Sequence, residues 1–344
     1  FEHIVKYRIA MLAMACAFAN SGFAESVDDR TQRFTFSGVM EIEASYTDST
    51  EWGDDDSSSD LILATAQPGV DVALVDKVSL HFVSFYKEGD IDFDMHEGYI
   101  QLQNPGAEDI NLKLGKMYLP FEQLETNLVN DTLGLELVSP DESIGFRERA
   151  ALVSWSTGDL TLEGYVFNGN ANEDDNLSDF GMSFGYGNEA FNIGVDYLSN
   201  VADSAMIVDA LDENQGVVPE GDLNAISING MAQLGAATLL AEYIQIDDLD
   251  EIGYQVDDAP TFAQLDLGYD LGNGWSLALA YQLTDEGAVL GMPESRITAG
   301  VATSIYDGIV AVSLELWHDE DYDENDGGTD EDFNGVVIQI AAEF

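Results

Sequence analysis

Bases are scarce in this 344-residue chain: 11 Lys and Arg stand against 66 Asp and Glu, a formal net charge of -55. So few cations cannot neutralise phosphate, which excludes nucleic acid and an anionic inner-leaflet surface as partners. Cysteine is almost missing as well, Cys16 being the one example, so no disulfide framework or thiolate metal site can be built. Beyond residue 24 no run approaches 18 consecutive apolar residues, which excludes a transmembrane helix. The H-E-x-x-H, Walker and G-x-G-x-x-G patterns are not found either. His81, His96 and His318 have no catalytic neighbourhood, and the acidic stretch 319–328 lacks the sixth-position Gly of a calcium loop. Neither an enzyme, a cofactor nor a metal is therefore expected.

Apolar and aromatic residues, by contrast, are plentiful. The chain is 45% hydrophobic and holds 17 Phe, 14 Tyr and 4 Trp, which a disordered acidic chain would not. Lys6 and Arg8 precede an apolar run over 9–19 that ends in Gly22-Phe23-Ala24. About eleven apolar residues are too few to span a bilayer, and the small-x-small ending reads as a secretory signal peptide over residues 1–24. Residues 25–344 then form a single domain.

That domain alternates. Trp275, Leu277, Leu279, Tyr281 and Leu283 interleave with Ser276, Ala278, Ala280, Gln282 and Thr284, the period of two of a strand with one apolar face. Leu265, Leu267 and Tyr269 repeat the pattern across Gly272-Asn273-Gly274, a hairpin signal. Phe180 to Tyr186 and Phe191 to Tyr197 do the same across 187–189. Short connections near 76, 104–109, 157, 187–190, 235, 272–274 and 306–308 alternate with long acidic ones near 48–59, 87–94, 121–146, 168–177, 201–222, 248–258, 286–293 and 320–331. Sixteen strands with short turns at one rim and long loops at the other predict an all-β, antiparallel up-and-down transmembrane barrel. Val336, Ile338, Ile340, Ala342 and Phe344 alternate to a terminal aromatic, as in bacterial outer-membrane barrels. The expected location is the outer membrane of a Gram-negative bacterium, with its lipids as partner and a homo-oligomer as an open alternative. A soluble β-protein is the competing fold.

If the apolar faces meet lipid, Glu41, Glu43, Glu163, Asp196, Asp266 and Asp270 fall on the opposite parity and line the lumen. Tyr46, Tyr186, Tyr197, Tyr269, Trp275, Tyr281 and Tyr306 fall near strand ends, where aromatic girdles belong. Strands 237–246 and 309–318 alternate less cleanly. Nine bases remain after residue 24, and four flank one connection: Lys113 and Lys116 before 121–146, Arg147 and Arg149 after it. That connection carries Glu122, Glu125, Asp131 and Glu136, with leucines too apolar for a solvated tip. The expectation is a loop folded into the lumen, with Lys113, Arg147, Arg149 and these acids forming a constriction. Lys116 has the opposite parity to Lys113.

The run Gly115-Lys116-Met117-Tyr118-Leu119-Pro120-Phe121, continuing through Glu125-Thr126 and Leu135-Glu136-Leu137 to Arg147-Glu148-Arg149-Ala150-Ala151, resembles the signature of the LbtU-type siderophore porin family. Glu122 and Thr132 depart from it, standing where that family has Gly and Pro. The resemblance implies a sixteen-stranded outer-membrane channel for small hydrophilic solutes, with iron-siderophore uptake as its transport role. A lumen this acidic disfavours a polycarboxylate siderophore. A general cation-preferring diffusion channel is the nearest alternative, and an outer-membrane hydrolase or adhesin the alternative of another class.

Overall fold

The computed structural model describes residues 33–48, 57–89, 91–106, 109–121, 126–129, 132–138, 146–168, 177–188, 190–202, 204, 206–208, 221–253 and 258–344. The leader read over 1–24 lies outside them. Sixteen strands occur in chain order: β1 (Phe34–Thr47), β2 (Ser58–Val75), β3 (Val78–Lys87), β4 (Ile91–Gln103), β5 (Ile110–Tyr118), β6 (Arg147–Thr157), β7 (Leu160–Phe167) and β8 (Asp179–Asn188). Then follow β9 (Phe191–Leu198), β10 (Ala225–Leu234), β11 (Ala237–Ile246), β12 (Thr261–Gly272), β13 (Trp275–Asp285), β14 (Ser295–Ile305), β15 (Val310–Glu320) and β16 (Asp332–Glu343). An α-helix, α1 (Leu133–Val138), lies between β5 and β6.

Each strand pairs antiparallel with its neighbours in sequence, and β1 pairs with β16, so the sheet closes on itself. Closure removes both sheet edges. The seam runs from Val39 opposite Glu343 to Thr47 opposite Gly335, and the backbones of Gly38 and Phe344 exchange two hydrogen bonds of 3.1 Å. At the short-turn rim, Asn273 and Gly274 have φ of 56° and 78°. Two successive positive φ values are what the two-residue β12–β13 hairpin demands.

Register converts the alternation into faces. Leu265 pairs with Tyr281 and Leu267 with Leu279, and all four are exposed, while Asp266 between them is buried opposite Ala280. Exposed apolar residues of this kind recur around the whole barrel, from Met40 and Ile42 on β1 to Ile338 and Ile340 on β16. A belt so large is untenable in water and is a lipid-facing surface. Tyr46, Tyr186, Tyr269, Trp275, Tyr281 and Tyr306 are exposed on it, whereas the Tyr197 hydroxyl donates to Asn224 Oδ1 at 2.5 Å.

One expectation is corrected here. The connection expected over 87–94 shrinks to residues 88–90, because β4 begins at Ile91. Asp92 and Asp94 belong to a strand, with Phe93 and Met95 exposed on the outer face. Parity along β4 is also broken: Val83 pairs with Glu97 and Ser84 with Met95, leaving His96 as an extra residue in a β-bulge. His96 and Glu97 are consequently both buried while Met95 is exposed.

Candidate functional site

The inward faces carry the polar side chains. On the β2–β5 wall, Asp71 and His81 are opposite each other in register, with Oδ1 and Nδ1 2.8 Å apart. The other ring nitrogen of His81 lies 3.6 Å from Glu97. His81 packs on Tyr99 at 4.7 Å between ring centroids, and the ammonium of Lys113 sits 5.1 Å from the Tyr99 ring, a cation–π contact. Further round, Glu163 and Asp196 flank Ser183 in register, and Asp196 accepts from Asn229 Nδ2 at 2.9 Å. At the seam Glu43 accepts from Gln339 Nε2 at 2.7 Å, and Glu41 follows the same parity. Asp270 is exposed at the short-turn rim, where it accepts the Gly272 N–H at 2.7 Å.

Strands β12–β15 receive the segment that joins β5 to β6. Asp266 accepts from Thr126 Oγ1 at 2.9 Å, from the Asn127 backbone at 2.7 Å and from Asn127 Nδ2 at 3.0 Å. Glu315 accepts the Val129 N–H at 2.6 Å, and Gln282 accepts the Leu133 N–H at 2.8 Å. The Asn127 amide lies so close to Gly268 that a Cβ there would meet it at 2.4 Å. Beyond these anchors, Leu133 and Leu137 of α1 are buried in one cluster with Ile244, Ile246 and Phe262. A cavity of about 10 Å³, room for one water, lies between Asn127, Ser276, Gly300, Ser313 and Glu315.

The four bases flanking this segment separate. Lys113 is on the inward parity. Arg147 is buried at the head of β6, with Nη1 2.8 Å from the His96 carbonyl. Arg149, expected in the constriction, alternates with Ala151 and exposed Val153 and is itself exposed, so it belongs to the outward face. Counting back in twos from Val153 gives this directly. Glu122, Glu125 and Asp131 lie outside the described residues, and Glu136 falls on α1.

Gly115, which opens the signature run, has φ of 144°, and a Cβ there would come within 2.2 Å of the Gly98 carbonyl. Only glycine permits that approach and that backbone. Sequence reasoning passed over Asp71, Glu97, Glu315 and the Arg296–Asp319 pair, whose two contacts measure 2.7 and 2.9 Å. Inward parity marks Arg296 on a clean strand, and Glu315 lies on one of the two strands whose alternation is weaker. No local pattern marks Glu97, because the bulge at His96 hides its parity.

A family model described as Gram-negative porin matches residues 10–338. No curated protein matches the chain in sequence. Among solved structures, an anion-selective porin from Comamonas acidovorans is similar at 15% identity and a TM-score of 0.68, covering 90% of this chain and 99% of that one. The outer membrane channel DcaP of Acinetobacter baumannii is similar at 13% identity and 0.62, covering 90% and 97%. The trimer form of OmpT from Vibrio cholerae is similar at 10% identity and 0.59, covering 90% and 99%. At such identities the likeness is one of fold, and selectivity does not travel with it.

Proposed function

Since the chain belongs to the Gram-negative porin family, it is an outer-membrane channel for diffusion of small solutes, and we propose that its channel prefers cations and narrows at the segment between β5 and β6. One observation carries this reading. Backbone N–H groups of Asn127, Val129 and Leu133 are held by Asp266, Glu315 and Gln282 on β12, β15 and β13, across the ring from the strands where the segment starts and ends. Such a crossing subdivides the lumen. Glu41, Glu43, Glu163 and Asp196 then outnumber Lys113 along the wall left to a permeant, and fixed carboxylates favour cations by Coulomb's law. Lys113 is the base on the inward face of β5, and Arg147 is fixed beside the root of the segment.

The test is the reversal potential of single channels in planar bilayers under a salt gradient. A cation-selective reversal supports the proposal, and an anion-selective one overturns it. Adding a ferric siderophore addresses the uptake implied by the LbtU-type resemblance. Block at micromolar concentrations would make siderophore passage the better reading, and unblocked ohmic current favours general diffusion. A homo-oligomer is proposed from the outward apolar belt and the trimeric form of one similar porin, and chemical cross-linking in native membranes tests it.

A further inference from the structure

Asp71, His81 and Tyr99 form one cross-strand row over β2, β3 and β4, and Glu97 lies two residues from Tyr99 on the same inward face. Asp71 Oδ1 is 2.8 Å from His81 Nδ1. A carboxylate accepts, so Nδ1 carries the ring proton, and a neutral imidazole then turns the lone pair of Nε2 towards Glu97. Nε2 and Glu97 Oε1 are 3.6 Å apart, too far for a hydrogen bond. Glu97 is 4% exposed, and its Oε1 has no hydrogen-bond partner. A buried carboxylate oxygen left in that state is costly.

An ion fits the gap. A cation with nitrogen and oxygen ligands at about 2.1 Å spans 3.6 Å at an angle of about 118°, close to tetrahedral. The outer arrangement agrees, since a metal-bound histidine donates its second N–H to a carboxylate that holds the ring and raises its basicity. Charge agrees as well. Asp71 and Glu97 bring two negative charges to one neutral ring, which a divalent ion balances, while the Lys113 ammonium is drawn onto the Tyr99 ring, 5.1 Å from its centroid. His318 also faces an acid, Asp332 at 4.0 Å, but both side chains are exposed and its Nδ1 meets the Asn334 amide oxygen instead of a carboxylate.

We propose that His81 and Glu97 hold a divalent first-row transition-metal ion of the zinc class on the channel wall, with Asp71 orienting the imidazole. An imidazole ligand selects such ions over magnesium and calcium, which take oxygen alone. With two protein ligands the ion keeps water at its other positions, so it can leave as well as enter, as conduction requires. The inference rests on the lumen being a path for cations, as proposed above, and adds the class of ion that pauses there.

The experiment titrates zinc chloride into the untagged, full-length barrel in mild detergent at neutral pH, using isothermal titration calorimetry. Zinc should bind, and excess magnesium should not displace it. H81Q and E97Q should abolish binding, D71N should weaken it by about tenfold or more, and H318Q should leave it unchanged. In planar bilayers zinc should reduce the potassium current of the unmodified channel but not that of H81Q. No zinc binding by the unmodified protein overturns the proposal whether or not any variant folds, and would leave His81 as an imidazolium between two carboxylates. Displacement by magnesium also overturns it, as does binding lost in H318Q and kept in H81Q, or an equal fall in current through both channels. The two readings separate: an anion-selective reversal potential with zinc still bound at His81 would sink the cation preference and leave the site standing.

Discussion

Arg147 fixes the tautomer of His96. Its Nη1 lies 2.6 Å from His96 Nδ1 and 2.8 Å from the His96 carbonyl oxygen. A guanidinium can only donate, so Nδ1 accepts, and the ring proton sits on Nε2. That nitrogen donates to the Tyr118 hydroxyl, and Tyr118 is opposite Arg147 in register. The three side chains join the β4 bulge to both roots of the segment between β5 and β6.

Arg147→Ala removes both donors from a buried site, and Arg147→Lys cannot satisfy Nδ1 and the carbonyl with the same planar fork. The alanine variant should be less stable by about 3 kcal/mol, with lysine between it and the unmodified protein. Urea titration followed by heat-modifiable gel mobility measures this, and equal midpoints for all three proteins would refute it.

Asp266→Ala removes an acceptor used by three donors of residues 126 and 127. Gly268→Val reaches the same segment through the Cβ that would strike Asn127. Both variants should release the segment and raise single-channel conductance, while Asp270→Ala, altering only a rim turn, should not. Unchanged conductance in the first two argues against a constriction at this point.

Asp48 supplies a pH dependence at the seam. Burial works against its charge, but the Asn334 backbone at 2.6 Å and amide at 2.8 Å donate to it and together outweigh burial, so its pKa ends below the usual carboxylate value. A lowered folded-state pKa stabilises above the unfolded value and is lost as pH falls through the folded one. Asp48→Ala should therefore melt lower than the unmodified barrel at neutral pH, and the difference should close at strongly acid pH. A difference independent of pH would rule this out.

Tyr322, in the loop after β15, clasps the preceding long loop. The single proton of Thr284 Oγ1 goes to the Pro293 carbonyl at 2.5 Å, so the Tyr322 hydroxyl, 2.6 Å away, donates to Thr284 and accepts the Gly287 N–H at 3.2 Å. Burial raises its pKa, keeping this donor protonated. Tyr322→Phe should cost about 1 kcal/mol and speed proteolysis within 286–294. Identical cleavage rates would show that the clasp does not hold the loop.

The barrel was legible because lipid outside and polar groups inside impose a period of two on every regular strand. It failed where the inner surroundings are not polar. On β11, Leu240, Ile244 and Ile246 are buried on the inward face, and the last two pack in the cluster that holds Leu133 and Leu137. Hydrophobic residues are needed on both faces there, and the alternation fades. On β4 the bulge at His96 shifts parity midway, so Glu97 reads from sequence as outward. Lys113 and Arg147 were legible as neighbours of one long connection. The partners of Arg147 were not, because they lie on a strand fifty residues earlier.

Fifteen of the sixteen strand junctions link neighbours in the chain, and the last links β1 to β16. Hairpins can thus accumulate in order of synthesis, each closing a small loop, while the ring stays open until its final strand arrives. The entropic penalty of that last junction grows only logarithmically with the length enclosed. Sealing is consequently a single late event, and until it happens the partly assembled sheet exposes two adhesive borders. A partner that covers those borders would be needed more during assembly than afterwards.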